Sequence, residues 1–264
     1  MTDRQKEILR MVISEYTQTA MPIGSNDLVK KHHLPFSSAT LRNEMLSLEK
    51  QGYLQKAHIS SGRIPTDEGY RYFIDNLVER KDTSVDYQKK LELELLKMRT
   101  HNIHLERSVG KMLSSMSKCL VISGVLEKGE YQSFGIHNLL EACLPVRQGA
   151  EFTNLDDFSK ITTVLDTIDE KIDKVLAKAE QGEVKIFVGK ENPIKEIQGS
   201  SMIVSKYKDS EGNNKVIALI GPKSMKYQKN KKIIEFAKKL LGGKNGGSKM
   251  VLFMVGSEVV VKFL

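Results

Sequence analysis

The chain has 264 residues, 40% of them apolar, which is room for one large or two ordinary domains with packed cores. Its net charge of +8 favours a polyanionic partner, but residues 1–80 hold eleven basic against ten acidic side chains and residues 182–264 sixteen against seven, so the excess lies in the last third. The longest apolar run, residues 251–255, is far too short to span a bilayer, and no charged-then-apolar leader opens the chain; a soluble cytoplasmic protein without a membrane partner is expected.

Thr2-Asp-Arg-Gln5 is a capping box, and Leu9, Val12, Ile13 and Tyr16 form an apolar stripe behind it, which predicts a helix over residues 3–19. Pro22 and Gly24 break the chain, Ser25 is placed to cap a short second helix carrying Leu28 and Val29, and Pro35 ends the approach to a third. The third helix opens on Ser37 or Ser38 and closes on Gly52. Leu41, Met45 and Leu48 fall on one stripe, which leaves Thr40, Asn43 and Ser47 on the other side with Arg42 at its edge. Small donors and one arginine suit the major groove, where hydroxyls and amides meet base edges and arginine pairs two-pronged with guanine.

Residues 53–64 read as a hairpin whose basic groups, Lys56, His58 and Arg63, would sit beside phosphates or reach the minor groove, with Arg63 at the tip. Three helices joined by tight turns and followed by a hairpin is the order of a winged helix-turn-helix. Ser38, Thr40, Arg42, Asn43, Ser47, Lys56, His58 and Arg63 are therefore the candidate DNA-binding residues. Because the first 80 residues are nearly neutral, that reading rests on the local placement of Lys30, Lys31, Arg42, Lys50, Lys56 and Arg63.

Ile23-Gly-Ser25, Ser37-Ser-Ala-Thr-Leu-Arg-Asn-Glu-Met45 and above all Ser61-Gly-Arg-Ile-Pro-Thr-Asp-Glu-Gly-Tyr-Arg71 closely resemble the bacterial heat-inducible transcription repressors of the HrcA family. Gly189-Lys-Glu-Asn192, Ile220-Gly-Pro-Lys223 and Met225-Lys-Tyr227 are later matches. The resemblance implies a repressor of chaperone genes that binds an inverted-repeat operator in double-stranded DNA as a homodimer. It also implies dependence on a GroEL-type chaperonin.

After the hairpin, Thr66 is placed to cap a helix carrying Tyr70, Phe73, Ile74 and Leu77, and residues 79–84 are polar and aperiodic, hence a linker. Leu91, Leu95, Met98, Asn102, Leu105, Val109, Met112 and Met116 then alternate steps of four and three. That is the spacing of a helix seam with one polar member, although such a helix also packs on its own domain. Residues 119–125 and 132–136 read as strands, and residues 155–178 as one long amphipathic helix. Further strands are predicted at residues 184–189, 201–208 and 215–220, the last two joined by a loop over 209–214, and a helix at 230–241. Cys119 and Cys143 lack CxxC spacing and are expected as buried reduced thiols. The C-terminal lysines read as a solvated face, with a second nucleic-acid surface as the alternative.

The expected fold class is α+β, an N-terminal winged helix-turn-helix followed by an α+β domain that the resemblance identifies as GAF-like. The expected division is 1–80 for DNA binding, 81–118 for a linker and long helix, 119–245 for the GAF-like domain and 246–264 for an apolar hairpin extension turning at Gly256-Ser257. The short connection between Leu126 and Phe134 stands where the family carries further strands and an inserted dimerising domain, so most of that insert is expected to be missing. No phosphate loop, HExxH or nucleophile-elbow pattern occurs, and the six histidines never combine with cysteine or carboxylates at metal-ligand spacing. No enzyme, cofactor or metal is expected. The competing functions are a small-molecule-sensing regulator that uses the same winged helix and, second to it, an enzyme or an RNA-binding winged helix, which would be indifferent to operator sequence.

Overall fold

The computed structural model describes residues 1–57, 62–77, 105–143, 155–209, 211–242, 250–255 and 258–263. Three helices open it: α1 (Asp3–Thr19), α2 (Ser25–His32) and α3 (Ser38–Lys50). Thr2 and Gln5 make the reciprocal capping box at the start of α1, as expected. At α2 the capping position falls to Gly24, and Ser25 is the first helical residue and makes no cap. Ile8, Leu9, Val12, Ile13, Leu28, Leu41 and Leu48 close the core between the three.

Strands β1 (Leu54–Lys56) and β2 (Arg63–Pro65) form a short antiparallel hairpin, and Ile23 adds to its outer edge through two 2.9 Å backbone hydrogen bonds with Arg63. Gly62 permits that approach, because a Cβ there would stand 2.4 Å from the Ile23 carbonyl oxygen. Thr66 then caps α4 (Asp67–Tyr72), which runs on as a π-helical turn, Phe73–Leu77.

The second half is a five-stranded sheet, antiparallel throughout, in the order β4-β3-β7-β6-β5: β3 (Leu120–Val125), β4 (Glu130–Phe134), β5 (Val184–Val188), β6 (Ser201–Lys208) and β7 (Asn214–Gly221). The strand period of two divides its side chains between two faces. On one, Val121, Ile203, Ile217 and Leu219 pack with α5 (Leu105–Ser117) and the C-terminal helix α9 (Tyr227–Leu241). On the other, Leu120, Ile122, Met202, Val204, Val216 and Ala218 meet residues of α6 (Ile136–Cys143), α7 (Leu155–Asp166) and α8 (Ile168–Leu176). The first of these cores is continuous with that of the N-terminal helices. A two-stranded antiparallel sheet, β8 (Met250–Val255) with β9 (Glu258–Phe263), ends the described chain, separate from the five-stranded sheet. No described helix is long and apolar enough to cross a membrane.

The long helix expected over 155–178 is two helices. The break is at Thr167, whose backbone leaves the helical region while its hydroxyl donates to the Thr163 carbonyl, and Thr162 and Thr163 both donate to that of Ser159. Hydroxyls that bond back to the preceding turn compete with the helix ladder and bend it. Helix α6 was not anticipated; its short stretch follows directly on the β4 strand. In the expected seam, Leu91, Leu95, Met98 and Asn102 lie outside the described residues. Val109, its next member but one, is fully buried within this chain, as is Leu113, so the described part of that helix faces its own sheet.

Candidate nucleic-acid interface

Helix α3 is capped by Ser37, whose Oγ accepts the Thr40 backbone N–H at 3.1 Å, and Leu41, Met45 and Leu48 turn inward. The most exposed positions are Ala39, Arg42, Asn43, Leu46 and Lys50, spaced three and four apart along one face. Thr40 and Ser47 lie on its flank, half-buried and engaged. The Thr40 hydroxyl pairs with that of Ser37 at 3.0 Å, and the Ser47 hydroxyl accepts from Gln5 at 3.2 Å and Gln51 at 3.1 Å. Ser38 is half-buried in the first turn. The face centred in the sequence reading on Thr40, Asn43 and Ser47 is thus rotated: Asn43 stays on it, Arg42 moves fully onto it, and the two hydroxyls move off.

Both carboxylates of α3 are turned aside by partners. Glu44 accepts from Gln5 at 3.0 Å and stands 3.7 Å from Arg4, and Glu49 accepts from Arg63 Nε at 2.7 Å. Arg63 is accordingly not a tip residue: it begins β2, its side chain is 15% exposed, and it pins the hairpin to α3. His58 lies outside the described residues. Lys56 ends β1 exposed. Arg42, Lys50 and Lys56 form no ion pair with any described residue, whereas Lys31 is 2.5 Å from Glu15. Burial pushes the Glu15 carboxyl up, but hydrogen bonds from Lys31 and His32 outweigh it and leave the group below its ordinary range. Carboxylates held in this way leave the outward face with cations and an amide.

A second cluster joins the two halves of the chain. Asp67 accepts the Lys190 backbone N–H at 3.1 Å and the Lys223 ammonium at 2.6 Å. Arg71 reaches both oxygens of Glu191, the Nε bond being 2.8 Å, and donates at 2.8 Å to the Ile186 carbonyl. The rings of Tyr70 and Tyr227 lie 6.1 Å apart and tilted at 55°. Asn192 anchors the loop from below, its amide donating to the carbonyls of Gly189, Ile197 and Ser200. The residues of Thr66–Arg71 therefore face those of Gly189–Asn192, Lys223 and Tyr227. In the sequence these runs carry no evident role beyond the family resemblance; the signal for the junction is the reciprocity of charge between them, Asp and Arg in one, Lys and Glu in the others.

A family model described as the HrcA protein C terminal domain matches residues 81–230, more than half of the chain. The protein named heat-inducible transcription repressor HrcA from Chloroflexus aurantiacus is 46% identical over 99 residues, 38% of this chain and 27% of its own length. Its namesake from Clostridium acetobutylicum is 35% identical over 142 residues, 53% of this chain and 41% of its own. The matched stretches thus span well under two thirds of these relatives. A crystal structure described as that of a hypothetical protein shares the fold, with a TM-score of 0.65 at 19% identity over 89% of this chain and 96% of that one.

Proposed function

The chain belongs to the HrcA family, and from that premise we propose that it is a sequence-specific DNA-binding repressor of heat-shock chaperone genes. In this reading α1–α3 with the β1–β2 hairpin are a winged helix-turn-helix, α3 enters the major groove, and the sheet domain is GAF-like. The observation that supports it best is the α3 face. Arg42 and Asn43 are exposed there, Lys50 lies a turn or two further on, and both acidic groups of the helix are held elsewhere by Arg4, Gln5 and Arg63. Cations free to meet phosphates supply affinity, and a guanidinium and an amide supply base readout.

The family resemblance adds two finer parts: an inverted-repeat operator bound by a homodimer, and activity that depends on a GroEL-type chaperonin. A two-fold pair of α3 helices would address half-sites roughly 34–36 Å apart or a multiple of that. The test is competition binding of the full chain to DNA upstream of chaperone operons against scrambled duplex, at one stated salt concentration. Preference for the operon DNA is expected; equal affinity rejects the proposal.

One observation favours the competing, ligand-sensing reading. A groove of about 780 Å³ between α5 and β4 is lined by Arg107, Lys111, Lys118 and His137 together with Ser115 and Ser133, a lining whose charge would suit an anionic small molecule. A rise in melting temperature with phosphorylated metabolites, and a change in DNA affinity with it, would favour that reading.

A further inference from the structure

Leu46 is not accounted for by the packing of α3. The inward stripe is complete with Leu41, Met45 and Leu48, yet Leu46 stands on the opposite face, 38% exposed, one of three large apolar side chains left exposed among the described residues. Its neighbours at helical spacing are Ala39, Arg42, Asn43 and Lys50, all exposed. An apolar group enclosed by a guanidinium, an amide and an ammonium is too small a patch to dock a protein, for which contiguous apolar area is needed. It matches the edge of a base-pair step. The major groove displays acceptors and donors for the polar neighbours and one apolar group, the C5-methyl of thymine, for which alanine and other apolar side chains are the fitting contact.

We propose that Leu46, together with Ala39 two turns earlier, packs on thymine C5-methyl groups of the operator half-site, so that α3 separates thymine from cytosine at those positions by apolar contact. The inference rests on the DNA-reading role proposed for α3 and names the base chemistry that role uses. Arg42 and Asn43 orient the helix by hydrogen bonds, and Leu46 then excludes water from the methyl. Loss of one such contact is worth about fourfold in affinity, the usual value for one methyl-sized group removed from water.

The probe is an inverted-repeat duplex selected by the full chain from random DNA, with each thymine replaced in turn by deoxyuridine, which deletes only the methyl. Wild type should lose about fourfold at one or two positions per half-site. Leu46→Ala, which shortens the side chain in both half-sites, should lose about fourfold per half-site on the unmodified duplex and show no further penalty at the position that Leu46 covers, while a position covered by Ala39 keeps its own. Leu46→Met, which keeps the apolar volume, should stay within about twofold of wild type. Because Leu46 is exposed, both variants should melt with wild type, and circular dichroism checks this. Deoxyuridine penalties that persist in full in Leu46→Ala, or a Leu46→Ala affinity equal to wild type, overturn the proposal while leaving the DNA-reading role standing. So does a change in the solution mass of Leu46→Ala, which would assign the leucine to a subunit contact. A wild type that selects no sequence from the library rejects the DNA-reading role itself, and this proposal with it.

Discussion

The Asp67 carboxylate stands 2.6 Å from the Lys223 ammonium across 156 positions of sequence, and its other oxygen accepts the Lys190 N–H. Both side chains are largely shielded, so a charge-assisted bond here is worth more than one at the open surface. Asp67→Asn should lower unfolding free energy by about 1–3 kcal/mol, read from urea denaturation midpoints. Gly189→Ala should cost more. Gly189 has a φ of +52°, and a Cβ there would fall 2.0 Å from the Asp67 carboxylate, so the substitution strains the backbone and displaces the acid together. Unchanged midpoints in both variants would remove Asp67 from the junction.

Arg71 uses its fork on Glu191 and also on the Ile186 carbonyl, a geometry that an ammonium cannot reproduce. Arg71→Lys should therefore behave nearly as Arg71→Met does. A double-mutant cycle with Glu191→Gln should give a coupling of about 1 kcal/mol, the pair being partly open to solvent. A coupling indistinguishable from zero would make the contact incidental.

Glu15 sets a pH dependence. Its carboxyl is lowered by Lys31 and His32 despite burial, so its contribution to stability is complete above the ordinary glutamate value of 4.5 and is lost as pH falls through the lowered one. Wild type and Glu15→Gln should differ most in stability near neutral pH, and the gap should close on acidification below about pH 4. Denaturation curves taken at pH 7 and pH 3 decide the matter; a gap that widens on acidification contradicts the assignment.

Cys119 is almost fully buried, and burial pushes its thiol up to about 12. In a Cys143→Ser background, iodoacetamide at pH 8 should leave the folded protein unlabelled and modify Cys119 only on heating through the melting range. Mass spectrometry of intact protein follows this directly. Labelling at the rate of a free thiol at 25 °C would show that the site opens in the native state.

On α3 and the neighbouring hairpin, side chains of different standing should behave differently on DNA. Arg42→Ala should cost about 1–3 kcal/mol on the cognate duplex and relax preference there, while Lys56→Ala should weaken all duplexes alike and reduce the salt slope by about one. Ser47→Ala should leave sequence preference intact and lower stability slightly, because its hydroxyl already serves Gln5 and Gln51. Equal losses on cognate and scrambled DNA for Arg42→Ala would exclude it from base reading.

Helix α1, the cap of α4 and β6 in full were legible because caps and strand signals act locally, and Thr2, Thr66 and residues 201–208 carry those signals themselves. The inward stripe of α3 was legible for the same reason. What it left outside was not: the positions of Ser47 and Arg63 depend on Gln5, Gln51 and Glu49, and no single-helix pattern contains those partners. The break at Thr167 was hidden because apolar periodicity continues through it while the hydroxyls that cause it are silent in that pattern. The junction of Asp67, Arg71, Glu191 and Lys223 is a property of distant segments brought together, visible beforehand only as charged motifs without an assigned task.

Among the described residues, one apolar core runs from α1 through Tyr70 and Tyr227 to one face of the sheet, and such continuity favours joint rather than separate melting of the two halves. The temperature at which β3, β6 and β7 lose their packing should then be the one at which Arg42, Asn43 and Leu46 lose the backing that holds them in line, and calorimetry should show one transition for the N-terminal helices and the five-stranded sheet.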